Sequence, residues 1–157
     1  MSRAFIGLGS NEGDRLANLS RAAKLLGERP GIRLVKMATI LETEPVGGPP
    51  QGPYLNTVVE IETTLGPREL FDAAKAIEVE LGRRPSKERW APRPIDLDVL
   101  LVDDTVLAEP DLLIPHARMH ERWFVLEPLA QLDPGLVHPV LKKTVEELRT
   151  GLLAGEA

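Results

Sequence analysis

Asp96-Leu97-Asp98 places two carboxylates two residues apart, inside a run from Ile95 to Val102 whose apolar, β-branched content predicts a strand. At ~3.3 Å rise per residue, side chains i and i+2 share one face about 6.6 Å apart. Two acids held that way repel each other unless something positive lies between them. Hard oxygen donors in that arrangement suit Mg²⁺, which takes one or two carboxylates and completes its shell with water and phosphate oxygens. Leu97, Val99 and Leu101 fall on the opposite face and anchor the strand in a core. A solvated acidic strand face would look the same in isolation, so the neighbours decide.

Those neighbours are basic. Arg83, Arg84, Lys87, Arg89 and Arg93 crowd into a loop pinned by Pro85, Pro92 and Pro94, and Asp103 and Asp104 follow the strand. Guanidinium groups match phosphate geometry better than ammonium groups do. Carboxylates for Mg²⁺ beside such a loop are the parts that bind a polyphosphate and neutralise charge as it is transferred. Trp90 argues against a merely solvated loop, because a large indole among polar residues usually covers something. No P-loop motif is present, which excludes a Walker-type site.

A third group is aromatic and amidic. The chain has only six aromatic residues, so Tyr54 and Phe124, outside any apolar stripe, carry information. Asn56 beside Tyr54 could read the edge of a flat heterocycle whose faces stack on the rings; a packed Tyr and a capping Asn is the alternative. His116, after Pro115, is a candidate phosphate contact or a structural His. Gly7-Leu8-Gly9-Ser10-Asn11 reads as a strand-to-helix turn in preference to a phosphate cradle.

The elements that must position these residues follow from pattern. The 157 residues suit one domain, 1–157; 43% are hydrophobic and 27% charged, which excludes wholesale disorder. The absence of cysteine excludes disulfides and thiolate sites. No apolar run approaches the ~20 residues of a membrane span, and no signal-type segment opens the chain, so a cytoplasmic location is expected. A net charge of −5 argues against a nucleic-acid coat.

Strands are expected at 3–9, 32–41, 55–64 and 95–102, the last with a short partner near 105–107. A helix capped by Asp14 carries Leu16, Leu19, Ala23 and Leu26; a second, opened by Pro67, carries Leu70, Phe71, Ala74, Ile77 and Leu81. Residues 43–53 are loop and 110–119 turn with a short helix. Further helices are expected at 124–132 and 144–153. The order βαββαβ predicts an α+β, ferredoxin-like antiparallel sheet packed with helices, plus C-terminal helical additions.

Taken in order, Ile6-Gly-Leu-Gly-Ser-Asn11, Glu42-Thr-Glu-Pro45, Tyr54-Leu-Asn56, Arg89-Trp-Ala-Pro-Arg-Pro-Ile-Asp-Leu-Asp98, Pro115-His116 and Arg122-Trp-Phe124 resemble the 6-hydroxymethyl-7,8-dihydropterin pyrophosphokinase family of folate biosynthesis over nearly the whole chain. The resemblance implies transfer of pyrophosphate from ATP to the hydroxymethyl group of the reduced pterin, with release of AMP. It implies that Asp96 and Asp98 hold two Mg²⁺ ions, and that Arg83 and Arg93 meet the triphosphate and stabilise charge. His116 and Arg122 become further nucleotide contacts. Tyr54 and Phe124 sandwich the pterin, Asn56 bonds its polar edge, Trp90 closes over it, and Thr43, Pro45 and Val46 line the ring-side loop. A monomer acting on small molecules, without nucleic acid or membrane, is the corresponding expectation.

Two departures stand out: Pro85 occupies a place where many relatives carry arginine, and Trp123 one where a smaller residue is common. The competing reading is a non-catalytic ligand- or RNA-binding module on the same fold. The RNA version needs a basic face and exposed sheet aromatics.

Overall fold

The computed structural model describes residues 1–43, 53–82 and 94–155. Its main sheet is built from β1 (Ser2–Ser10), β2 (Ile32–Met37), β3 (Leu41–Thr43), β4 (Tyr54–Thr63) and β5 (Asp96–Val102). The order is β2-β4-β1-β5, every pairing is antiparallel, and β3 continues along the β4 edge that β2 begins. β1, apolar on both faces, is central; among the described strands β5 pairs with β1 alone.

Helices α1 (Arg15–Glu28) and α2 (Pro67–Glu80) cover one face. Ala4, Ile6, Leu8, Val59, Ile61, Leu97 and Val99 meet Leu19, Ala22 and Leu26 of α1 and Leu70, Ala74 and Ile77 of α2 in one buried cluster. Each large side chain so buried contributes about 1.5–3 kcal/mol. The α1 start is fixed by Asp14, whose carboxylate accepts the Ala17 N–H at 3.1 Å. In α2 the side chain of Glu69 turns back to accept the Gly66 N–H at 3.1 Å, ahead of Pro67. Gly31, between α1 and β2, has φ +83°, and a Cβ there would lie 2.9 Å from Thr64 Oγ1, so only glycine suits that turn.

The other face is covered in part by the C-terminal elements: a 3₁₀ turn (Met119–Glu121), α3 (Trp123–Leu132) and α4 (Val145–Leu153). Phe5, Val58, Leu100 and Leu101 pack there against Met119, Val125, Leu129 and Val145. Arg3 ties this layer to the sheet, with Nε donating to Glu60 at 2.9 Å and Nη1 to Asp133 at 2.8 Å. No described helix is long and apolar enough to cross a membrane.

Several local expectations change. Leu101, expected beside Leu97 and Val99, packs instead with Phe5 and Leu100 on the C-terminal side, because the β1–β5 register shifts between Phe5 and Ile6. The strand expected over 32–41 is two strands, because the chain breaks register at 38–40, where Thr57 Oγ1 donates to the Ala38 and Thr39 carbonyls. Residues 110–119 hold the expected turn at 110–111 and reach a 3₁₀ helix at Met119, but a strand lies between: β6 (Leu107–Glu109) and β7 (Leu112–Ile114) form a hairpin across Pro110-Asp111. Leu112 and Ile114 are buried with Leu113 exposed between them, a period of two rather than a helical one. β6 therefore pairs with β7 and not with β5. Leu16, expected in the α1 stripe, lies on that helix's outer side.

His138 supports the turn between α3 and α4: its Nδ1 accepts the Val140 and Leu141 N–H groups at 3.3 and 3.1 Å. Burial, aided by the neighbouring His120, pushes its pKa below 6.5. The unfolded chain therefore takes up this proton first, and stability is lost as pH falls from about 6.5 toward the depressed folded value. Glu146 and Glu147, held below 4.5 chiefly by bonds to Arg149 and to the Thr144 backbone respectively, act in a separate, more acidic range. The melting midpoint by calorimetry should be lower at pH 5.5 than at pH 7.5, and His138→Asn, which keeps an acceptor but does not titrate, should narrow that difference. An undiminished difference would remove His138 from the account.

Candidate active site

The region of the sheet beside the C-terminal layer that no described helix covers is where the chemistry-bearing residues collect. Leu97 and Val99 point into the helix-covered core, so Asp96 and Asp98, which alternate with them, present to the opposite face, the same one as Leu100. In the register, Asp96 stands opposite Gly9 and Asp98 opposite Gly7; Gly9 in turn stands opposite Asn56 of β4. Directly opposed residues share a face. A single row, Asn56–Gly9–Asp96, thus crosses three strands, and with strands ~4.8 Å apart its ends are roughly 10 Å from each other.

Gly9 makes that row a floor. A Cβ at this position would come within 3.1 Å of Asn56 Oδ1 and 3.6 Å of Tyr54 Cδ1, so its absence is what keeps the space between amide and carboxylate open. Gly7 is different, since a Cβ there would meet only the Leu100 side chain at an ordinary 3.6 Å. Asn56, buried, is oriented by donating Nδ2 to Thr43 Oγ1 at 2.7 Å, across the β3–β4 pairing. The glycine segment is strand through Ser10, not a turn from Gly9. Asn18 Nδ2 bonds Ser10 Oγ at 3.3 Å and the Glu12 carbonyl at 3.0 Å, so these polar groups serve the β1–α1 connection.

The C-terminal layer supplies the other wall. Phe124, at the start of α3, packs against the Phe5–Leu101 cluster, and the Arg122 guanidinium lies 5.8 Å from its ring centroid. Trp123 is exposed. His116 follows the cis Ile114–Pro115 bond; its N–H donates to the Leu100 carbonyl at 3.0 Å, and Nδ1 accepts the Arg118 N–H at 3.3 Å. Neutral His116 therefore carries its proton on Nε2, as a donor. Burial pushes its pKa below 6.5; the Asp98 carboxylate pulls the other way, and the Arg122 and Lys75 cations add to the lowering. His116 thus senses an acid from β5, an arginine next to α3 and a lysine from α2.

Of the residues singled out from sequence, the structure brings Asp96, Asp98, Asn56, Tyr54 and Thr43 to one end of one sheet face, with His116, Arg122 and Phe124 on the layer beside it. Pro45, Val46, Arg83, Trp90 and Arg93 lie outside the described residues. Among the described residues no group of three or more His, Asp or Glu side chains forms a ready-made metal cage. Among the described residues of this face, Asp96 and Asp98 are a pair of carboxylate donors. Sequence reasoning missed Lys75 and Glu78 of α2. The signal for Glu78 was an acid next to Ile77 in an otherwise apolar stripe.

A twisted antiparallel sheet backed by two helices, with an acid pair and an amide flanking a glycine floor, defines the class: an α+β protein whose site is formed on a sheet face. Residues 5–134 match the family model described as 7,8-dihydro-6-hydroxymethylpterin-pyrophosphokinase. A 2-amino-4-hydroxy-6-hydroxymethyldihydropteridine pyrophosphokinase of Bacillus subtilis is 46% identical over 129 residues, covering 82% of this chain and 77% of that protein. The Aquifex aeolicus protein of the same name is 36% identical over 149 residues, covering 95% and 91%. The chain belongs to the 7,8-dihydro-6-hydroxymethylpterin-pyrophosphokinase family. In fold it is similar to a Plasmodium falciparum HPPK-DHPS crystal structure with pterin and p-hydroxybenzoate, at TM-score 0.79 and 16% identity; the match covers 98% of this chain and 43% of that one.

If Asp98 and Arg122 face His116 as described, substitutions should move the His116 titration in opposite directions. Asp98→Asn should lower the pKa further and Arg122→Gln should raise it, read from the imidazole resonances by NMR. Movement in the same direction, or none, would separate the three side chains.

Proposed function

We propose that this chain transfers the pyrophosphoryl group of ATP to the hydroxymethyl oxygen of 6-hydroxymethyl-7,8-dihydropterin, releasing AMP, as an enzyme of folate biosynthesis. The observation that supports the reading most directly is the Asn56–Gly9–Asp96 row, in which a position without a side chain lies between an amide and an acid pair. The flat ring occupies the space over Gly9, with Tyr54 and Phe124 on its faces and Asn56, oriented by Thr43, bonding its polar edge. Pro45, Val46 and Trp90 complete the ring site in this reading.

Asp96 and Asp98 fit Mg²⁺ by donor chemistry: two hard carboxylates on one face leave coordination places for phosphate oxygens and water. Two ions are proposed. When bound, Mg²⁺ supplies charge neutralisation to the phosphates during transfer. The protein's own contribution is placement. His116 offers its Nε2–H and Arg122 its guanidinium to the phosphates or nucleotide, with Arg83 and Arg93 stabilising the transferring group. The ring site sets the hydroxymethyl oxygen in line with the β-phosphorus. A new O–P bond forms there, the bond from the β-phosphorus to the bridging oxygen of AMP breaks, and the hydroxyl proton passes to water or to one of the two aspartates.

The wider reading is a single-domain monomer, 1–157, acting on ATP and a reduced pterin in the cytoplasm, without nucleic acid or membrane. Its fold is read as ferredoxin-like: with β2 and β3 taken as one strand, the elements run βαββαβ and the antiparallel order β2-β4-β1-β5 fits that pattern. The RNA-binding alternative is disfavoured by the −5 charge and by Val58, Glu60 and Glu62 where stacking aromatics would be needed.

AMP formation from ATP and Mg²⁺ should require the reduced pterin. Asp98→Ala should lower kcat about 10²-fold or more while pterin affinity is retained, the scale of a lost charge-stabilising element. Arg93→Ala should slow transfer to a similar degree. Gly9→Ala should do the reverse of Asp98→Ala, weakening pterin binding about tenfold through crowding of Asn56, a loss the size of one hydrogen bond. Pterin-independent AMP release, or an Asp98→Ala variant with full turnover, would contradict the proposal.

A further inference from the structure

Helix α2 carries an acid where its buried stripe calls for an apolar residue. Glu78, only 2% exposed, lies beside Ile77 in the core-facing side of the helix. A buried carboxylate is costly unless it is paired and hydrogen-bonded. Here it is both: Lys75 Nζ lies 3.3 Å from each of its oxygens, and Oε2 accepts the Leu97 N–H at 2.8 Å.

The choice of donor is informative. Among the described residues β5 pairs with β1 along one side, and no described strand pairs with its other edge. Glu78 reaches that edge at the peptide of Leu97, the residue between Asp96 and Asp98. The direction of two side chains at i and i+2 is set by the twist of the backbone joining them. An amide tethered at that joint holds both carboxylates in one orientation at the very start of the strand, where an edge would otherwise fray. A charge-assisted bond is stronger and shorter than a neutral one, which suits a tether.

We propose that Glu78 is a positioning residue for the acid pair: its carboxylate, held by Lys75, fixes the Leu97 amide and with it the direction in which Asp96 and Asp98 present their oxygens. This rests on the pyrophosphokinase reading of those two aspartates. Glu78 itself takes no part in bond making. Its effect should fall on the cation and on turnover, and spare the ring site across Gly9.

The test compares Glu78→Gln, which keeps an acceptor, with Glu78→Leu, which fills the space without one. Leu97 amide exchange is followed by NMR, Mn²⁺ binding by titration with ATP in the absence of pterin, and kcat and pterin KM by AMP release. In Glu78→Leu the Leu97 amide should lose protection, Mn²⁺ binding weaken about tenfold and kcat drop about 10²-fold, with pterin KM within about twofold, because misplacement of reacting groups by an ångström is felt on that scale. Glu78→Gln should restore protection and most of the turnover. Should Glu78→Leu fail to fold, Lys75→Met decides, with weakened Mn²⁺ binding expected and unchanged Mn²⁺ binding and kcat overturning the role. A folded Glu78→Leu with wild-type Mn²⁺ binding and kcat, or one whose pterin KM worsens as much as its kcat, also overturns it while the wild-type enzyme still makes AMP. Failure of the wild type itself to make AMP would instead overturn the reading beneath.

Discussion

The register of β1 against its two neighbours is the constraint on which the site depends. Side chains alternate along a strand, so a slip of one residue on either side would turn Asp96 and Asp98, or Asn56, into the helix-covered core. That slip is prevented by the apolar residues of the same strands: Leu97 and Val99 must be buried beneath α2, and Val59 and Ile61 beneath α1, for the sheet to be stable at all. The hydrophobic pattern and the polar site are thus one specification written on alternate residues. Gly9 is the exception that makes the arrangement useful, because the row it occupies would otherwise be filled by a side chain against Asn56 and Tyr54.

Electrostatics gives the site its second organising feature. The acids come from the outer strand, and the described cations around His116 come from two other layers, Lys75 from α2 and Arg122 from the connection into α3. Bringing them together requires both faces of the sheet to be built. The C-terminal helices close the second core around Phe5 and Leu101, with Phe124 packed against it, while His116 is tied to β5 itself through the Leu100 carbonyl.

Much of this was legible in the residues. Asp14, Pro67 and the alternation of 55–64 predict their elements because each acts through local geometry. The acid pair was legible because i and i+2 in a strand can only share a face. What escaped were features created by tertiary contact. The Asn56–Gly9–Asp96 row needs the register of three strands, and Glu78 reveals its role only when α2 is laid beside β5. The β6–β7 hairpin was hidden by Pro110, which suggested a simple turn, while the tie of Arg68 in α2 to Glu109 and Asp111 holds that hairpin against the helix. β2 was read simply as a strand; in it Leu34, Val35 and Met37 are exposed, with Arg33 and Lys36 along the same strand. Cations on an open edge discourage pairing with another strand.

The most direct test of the central claim is anomalous diffraction from crystals grown with Mn²⁺, a non-hydrolysable ATP analogue and the pterin. The account predicts manganese bound by carboxylate oxygens of both Asp96 and Asp98, with the ring lying over Gly9 against Asn56. Manganese held away from this pair, or a ring bound elsewhere on the sheet, would contradict it.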